Sequence, residues 1–207
     1  GLYTETCQLV VRADSNIQTL DDLSGHTVSI GAEESGTERN ATQILEFAGM
    51  PSSLVATKNL DYIEATKELK AGDIDAFFCT AGLTTTVIDE LSKECDIRLI
   101  PLTDTVISKM LESSLAYTSE VIPAGTYTGQ TTDISTIGVK SVLITKSDVS
   151  DDTIEQLTSL LFEKENEISY SNSLKLELTY DFATDDIPIP FHDGAKRYYK
   201  ACGYSTN

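Results

Sequence analysis

The feature that most constrains this chain is the rhythm of its first half, where short apolar runs alternate with stretches of helical periodicity, each closed by glycine, proline or a polar turn. Gln8 to Arg12 is an apolar strand ended by the turn residues Asp14, Ser15 and Asn16. A helical turn at Thr19 to Leu23 stops at Gly25, and His26 to Gly31 alternates as a second strand. Ala41, Ile44, Leu45 and Ala48 then recur at helical spacing, giving one apolar face to a helix that Gly49 and Pro51 end. A short strand at Val55 to Thr57, a helix from Tyr62 to Lys70 stopped by Gly72, and a buried strand from Ile74 to Cys79 repeat the pattern. Thr85 to Ser92 and Thr105 to Glu112 read as helices on either side of a strand at Ile97 to Leu102. This alternation predicts an α/β fold with a mostly parallel sheet.

The second half changes character. Ala116 to Thr136 carries Pro123, Gly125 and Gly129 among many hydroxyl residues and reads as an extended excursion able to form a hairpin. Val139 to Thr145 restores a strand, and acidic Asp151 and Asp152 open a long amphipathic helix traced by Ile154, Leu157, Leu161, Phe162 and Ile168. A polar linker with Asp185 and Asp186 leads through Ile187-Pro188-Ile189-Pro190 to a terminal helix starting near His192-Asp193-Gly194. The elements before residue 14 and after residue 136 stand apart from the βαβ series, so the chain is expected to leave one lobe and return to it. Residues 1–13 and 137–207 form a partial lobe one, and residues 14–136 form lobe two with its return connection.

Charge narrows the function classes. Against 15 basic residues stand 33 acidic ones, a formal net charge of −18, and no basic patch offsets it. Such a surface repels phosphate backbones and anionic headgroups, which disfavours nucleic-acid and membrane-surface roles. Cys7, Cys79, Cys95 and Cys202 are scattered without the spacing of a zinc or redox motif and read as structural. Cys79, inside the apolar run DAFFC, reads as a buried free thiol. No metal or organic cofactor is indicated.

The most informative stretch is Gly31 to Glu38, which sets glycines and hydroxyls between the carboxyl end of a strand and the start of a helix. Open α/β sheets bind ligands there, and unpaired amides at a helix start favour an anion. Ser35 and Thr37 would add hydroxyl donors, so a carboxylate could be held without an arginine. The same residues read equally as an ordinary helix cap. Glu33, Glu34 and Glu38 oppose an anion, so they point away or meet an amine on the ligand. Thr80-Ala81-Gly82, at the end of the next strong strand, would open onto the same edge, although a plain strand-to-helix turn explains it as well. The spacings of dinucleotide and P-loop motifs are absent. Catalysis has little to work with: His26 reads as a surface residue, His192 as a cap or packing residue, and no GxSxG or HExxH pattern occurs.

Four segments, DLSGHTVSIGAEESGTERNATQIL, AGDIDAFFCTAG, IPAGTYTGQ and IPIPFHDGAKRYYKACGY, occur in an order that resembles the TAXI-type solute receptors of TRAP transporters. The resemblance runs nearly end to end. It implies a type II periplasmic-binding-protein-like two-lobed clamp, with no enzymatic activity, that captures a glutamate-like amino acid or other small carboxylate and delivers it to a TRAP-type membrane permease. Ser35, Gly36, Thr37, Thr80, Ala81 and Gly82 are implied as ligand-facing, with Glu38 and Asn40 secondary. Tyr127, in the AGTYTG stretch, is implied as a cleft wall or equally a buried core tyrosine. His192 is implied to tie the terminal helix down. The location implied is the periplasm, or the outer cell surface if the full-length protein is lipid-anchored. Gly1 to Glu5 matches a point inside the family pattern, so the resemblance implies a fragment with one lobe incomplete and apolar surface through which it self-associates. Two other readings of the same clamp stand beside this one: the ligand-sensing module of a signalling receptor, and an enzyme on the same fold.

Overall fold

The computed structural model describes residues 1–165, 167–168 and 176–206. Its contacts divide the chain into two compact units, one of Glu5–Val139 and one of Gly1–Thr4 with Lys140–Asn207.

The larger unit is built on a mixed sheet. Its strands are β1 (Tyr3–Arg12), β2 (Thr27–Ser29), β3 (Ala56–Lys58), β4 (Ala76–Ala81), β5 (Ile97–Leu99), β6 (Tyr117–Ile122) and β7 (Ile134–Ser141). They are ordered β3-β2-β4-β1-β7-β6, with β5 also paired to β1. Strands β2, β3 and β4 run parallel, with Val28 opposite Ala76 and Thr57. Their crossovers are the helices α1 (Gly36–Phe47) and α2 (Tyr62–Ala71). Each starts on a side-chain cap: Ser35 Oγ accepts from Glu38 N, and Asp61 accepts from Glu64 N. Gly72 ends α2 in the left-handed conformation. Helices α3 (Thr86–Glu94) and α4 (Asp104–Ser113) follow β4 and β5.

The parallel sheet expected from the sequence is corrected by β1, which runs antiparallel to both β4 and β5. The cause lies in its burial. Thr6 to Val11 are buried without a break, so the strand lacks the inside–outside alternation that marks an antiparallel strand with one solvated face. The two faces of the sheet carry separate cores. Leu9, Val11, Val28 and Phe78 pack with Ile44 and Met110, while Val10, Phe77 and Cys79 pack with Leu69 and Ile88. Residues 5–12, expected in the discontinuous lobe, thus pair inside the larger unit.

The hairpin in the 116–136 excursion is β6 with β7, paired from Tyr117 opposite Val139 to Ile122 opposite Ile134. The strand expected over Val139 to Thr145 is therefore displaced, and β7 stops at Ser141. Ile134, Thr136 and Ile137 supply the buried positions that fix it.

In the smaller unit, Ser150 caps α5 (Asp151–Glu163), and Ile168 N still donates to Lys164 O beyond it. The linker expected before residue 186 falls partly outside the described residues, and its described part contains α6 (Tyr180–Thr184), whose Ala183 and Thr184 are buried. Helix α7 (Asp193–Ala201) starts on His192, whose Nδ1 accepts from Gly194 N at 3.1 Å. That is the anchoring role expected of His192. Helices α5 and α7 approach so closely that a Cβ on Gly194 would lie 2.2 Å from Asp151 O. Phe162 joins them by stacking on Tyr180 at 4.6 Å and meeting Tyr199 edge-on at 6.0 Å.

All four cysteines are free, with Cys7 and Cys79 buried. Burial pushes the Cys7 thiol up from its ordinary 9.0 to about 12, and Cys79 is raised by burial first and then by the neighbouring Cys7. Because the folded values lie above the unfolded ones, the stability they contribute is complete below about pH 9 and is lost as pH rises toward 12. Urea unfolding is expected to be insensitive to these thiols below about pH 9 and to approach a fall of about 1.4 kcal/mol per pH unit per thiol above it. Replacing both thiols with alanine should flatten that slope, and an unchanged slope would contradict it. Gly194→Ala is expected to cost about 1–3 kcal/mol, because the added methyl meets backbone and not a movable side chain. Thermal unfolding of that variant reads the loss directly.

Candidate functional site

Strands β2 and β4 run parallel, so their carboxyl ends arrive at the same edge of the sheet. From the end of β2, Gly31 to Ser35 turn into the start of α1; from the end of β4 come Thr80 and Ala81. A pocket opens between these two ends, lined by Ser35, Gly36, Thr37, Arg39, Asn40 and Gln43 on the α1 side and by Thr80 and Ala81 on the other. Glu5, Tyr62 and Tyr117 complete its polar wall. Every one of these residues belongs to the larger unit.

The Gly31–Glu38 turn has little conformational freedom. Gly31 takes φ +101°, and a Cβ there would come 2.8 Å from Thr37 Cβ. Glu34 also sits in the left-handed region, at φ 62°, where its amide donates to Glu38 Oε2 at 2.6 Å. Asn59 Nδ2 donates to both Gly31 O at 3.1 Å and Glu38 Oε1 at 2.8 Å. The Glu38 carboxylate is thereby turned into the loop that it braces and does not line the pocket. Glu33 and Glu34 are exposed and likewise absent from its lining.

Behind the turn, one hydroxyl gathers three elements. Tyr62 OH donates to Thr80 O at 2.9 Å and accepts from Thr80 N at 3.3 Å. Its single proton is spent on that carbonyl, so in the 2.6 Å bond with Thr37 the threonine hydroxyl is the donor. Burial, with the nearby Cys79 thiol second, pushes the Tyr62 phenol up to about 12, which keeps it protonated and able to donate. Asn40 Nδ2 donates to Thr80 Oγ1 at 3.3 Å, and Tyr117 OH lies 3.0 Å from both Asn40 Oδ1 and Gln43 Oε1. Thr37, Asn40 and Thr80 are all buried. Their polar groups are committed to one another, and they set the wall's shape.

What faces outward is a different set. Ser35 Oγ accepts the Glu38 amide at 3.1 Å, which is the capping role, and its own proton stays available. The amides of Gly36 and Thr37 head the helix, where unpaired N–H groups and the dipole favour negative charge. Arg39 is exposed and makes no ion pair among the described residues. An arginine on the lining corrects the expectation of a site without one. Glu5 brings the opposite charge to the same pocket.

Two residues named from the sequence are elsewhere. Tyr127 is buried, donating to Gln8 Oε1 at 2.5 Å and accepting from Thr85 N at 3.1 Å. Gly82 O accepts from the Thr85 hydroxyl at 3.0 Å in that same network. Both support the β1–β4 pairing and neither lines the pocket. Sequence reasoning missed Arg39, Gln43, Glu5, Tyr62 and Tyr117. Arg39 and Gln43 stand four and eight residues beyond Ser35, so helical spacing alone could have placed them on its face. No described group of residues could hold a metal ion.

With that geometry in place the class is an α/β chain with a polar pocket at the carboxyl ends of parallel strands. The NMT1-like family matches residues 1–203, and the chain belongs to that family. Among solved structures it is similar to the periplasmic aliphatic sulphonate binding protein SsuA from Escherichia coli, at 15% identity and TM-score 0.49, over 95% of this chain and 62% of that one. It is also similar to a mutant of ArgBP from T. maritima, at 18% identity and TM-score 0.44, over 82% of this chain and 56% of that one. A protein described for glutathione import via GshT and TcyBC of Streptococcus mutans matches at 14% identity and TM-score 0.49, over 84% and 61%. The chain thus spans less than two thirds of the length of each of these structures.

Tyr62→Phe removes one donated and two accepted hydrogen bonds, leaving Thr80 O, Thr80 N and the Thr37 hydroxyl without the phenol. A loss of about 1–3 kcal/mol is expected in urea unfolding. A change below about 0.5 kcal/mol would mean that water replaces the phenol without cost.

Proposed function

We propose that the protein is an extracytoplasmic solute-binding protein that captures a small carboxylate, in the first place a glutamate-like amino acid, and hands it to a TRAP-type membrane permease. The ligand is held without being chemically changed. The observation that carries this reading is the lining of the α1 pocket. Helix-start amides, the Ser35 hydroxyl and Arg39 suit a carboxylate, while Glu5 suits an amine. Neither histidine and none of the four cysteines lies on that lining. Charge-assisted hydrogen bonds contribute about 1.5–3 kcal/mol each, so a few suffice for micromolar affinity, which needs about 8 kcal/mol net. Delivery to a TRAP permease and the periplasmic or surface location rest on the order of the sequence motifs. No described helix is long and apolar enough to cross a membrane.

Thermal unfolding with glutamate, glutamine, 2-oxoglutarate and other small carboxylates tests the reading, because a ligand that binds the native state raises its stability. A shift of several degrees is expected with at least one amino acid, and Arg39→Ala should weaken that ligand by about 10-fold or more. Glu5→Gln should weaken amino acids while leaving 2-oxoglutarate, which lacks an amine, unaffected. No shift with any carboxylate, in a protein that melts cooperatively, would remove the carboxylate assignment; saturable turnover of one of them would remove the binding-only role.

A further inference from the structure

In the α1 pocket a proton count fixes the direction of a side-chain amide. Tyr117 OH lies 3.0 Å from both Asn40 Oδ1 and Gln43 Oε1, so two carbonyl oxygens face one hydroxyl proton. Burial, with the Cys7 thiol second, raises the Tyr117 phenol, and that proton stays in place at neutral pH. Asn40 is the buried member of the pair, and its other end is committed: Nδ2 donates to Thr80 Oγ1 at 3.3 Å. Thr80 pairs with Cys7 across β1 and β4, and its hydroxyl hydrogen-bonds that thiol, offsetting part of the upward push of burial. With its proton turned to sulfur, Thr80 accepts from Asn40 Nδ2, and Asn40 Oδ1 takes the tyrosine proton.

Gln43 would then offer a carbonyl oxygen to an oxygen with no proton left. It is half-buried, lines the pocket and makes no other side-chain hydrogen bond among the described residues. Turning its amide about the last bond sets Nε2 against the Tyr117 oxygen as donor and leaves Oε1 in the pocket as an acceptor. Gln43 stands two turns along α1 from Gly36, about 10 Å, and helical side chains lean back toward the helix start. A ligand carboxylate on the α1 amides therefore leaves Gln43 for the far end of the ligand's own side chain.

The charges on the lining point the same way. Arg39 and Glu5 are its charged residues, and they cancel. The carboxylate and ammonium of an amino acid match them one for one. A second carboxylate would add a negative charge that the lining does not balance, in a chain whose net charge is −18.

Building on the reading of this pocket as an amino-acid site, we propose that Gln43 selects the ligand's side chain, and that the preferred ligand is a zwitterion ending in a neutral N–H donor, a carboxamide of the glutamine class, over glutamate. Gln43 Oε1 accepts from the carboxamide, whereas a carboxylate would set oxygen against oxygen.

Calorimetric titration with L-glutamine, L-glutamate and L-glutamate γ-methyl ester separates charge from hydrogen bonding, since the ester side chain is neutral yet has no N–H. Glutamine is expected to bind about tenfold more tightly than either of the others. Gln43→Met, at a half-buried position, should keep the melting temperature and bring glutamine to within about threefold of the ester. The role of Gln43 is overturned if the native protein binds the ester or glutamate as tightly as glutamine, or if the preference for glutamine survives in Gln43→Met. In each of those cases the pocket still binds an amino acid, and only the selection by Gln43 falls. Binding of none of the three removes the amino-acid site itself, and the selection with it.

Discussion

On the Tyr62 hydroxyl meet the start of α1, through Thr37, and the end of β4, through both backbone groups of Thr80. Tyr62 itself begins α2, so one phenol joins the two crossover helices to the end of β4. The bond order is fixed by counting protons: one to the Thr80 carbonyl, with the Thr37 hydroxyl donating in return. Asn40 and Tyr117 extend the chain of bonds along α1 to β6. With these groups occupied by one another, the Ser35 hydroxyl and the α1 amides are held at fixed positions on the pocket. Preorganisation of that kind lowers the ordering cost of binding.

The sheet makes this arrangement possible. Parallel pairing of β2 with β4 brings two strand ends to one edge, and burial of both faces of β1 and β4 holds that edge fixed. Thr80 is the residue where the buried strand meets the pocket, since the strand before it is fully buried and Thr80 lies on the pocket lining. In the acidic turn beside the pocket, Glu38 is spent internally, bracing the loop through Glu34 N and Asn59, while Glu33 and Glu34 are exposed and off the lining.

The α1 and α2 boundaries were legible because they carry local signals, a serine and an aspartate cap at their starts and a glycine after α2. Ser35, Gly36, Thr37, Asn40, Thr80 and Ala81 were legible as a group because strand-end loops of parallel strands converge by topology. The direction of β1 was not, since a strand buried on both faces shows no alternation to tell its pairing. Glu5 and Tyr117 reach the pocket from β1 and β6, and no sequence spacing connects them to α1. For Tyr127 the sequence left a cleft wall and a buried core tyrosine equally open, and the structure has the second, with its hydroxyl serving Gln8 and Thr85. The end of β7 was misplaced because Val142–Thr145 has strand composition without a strand partner, a distinction that composition does not carry.

The most direct measurement is the amide spectrum of the isotopically labelled protein titrated with glutamate, followed at Gly36 and Thr37. The account predicts saturable downfield shifts of both amide protons, as each donates to a carboxylate oxygen, together with a shift of Ser35 and little change at Gly82 and Tyr127. Saturable binding that moves Gly82 and Tyr127 while leaving Gly36 and Thr37 unmoved would place the ligand elsewhere and contradict it.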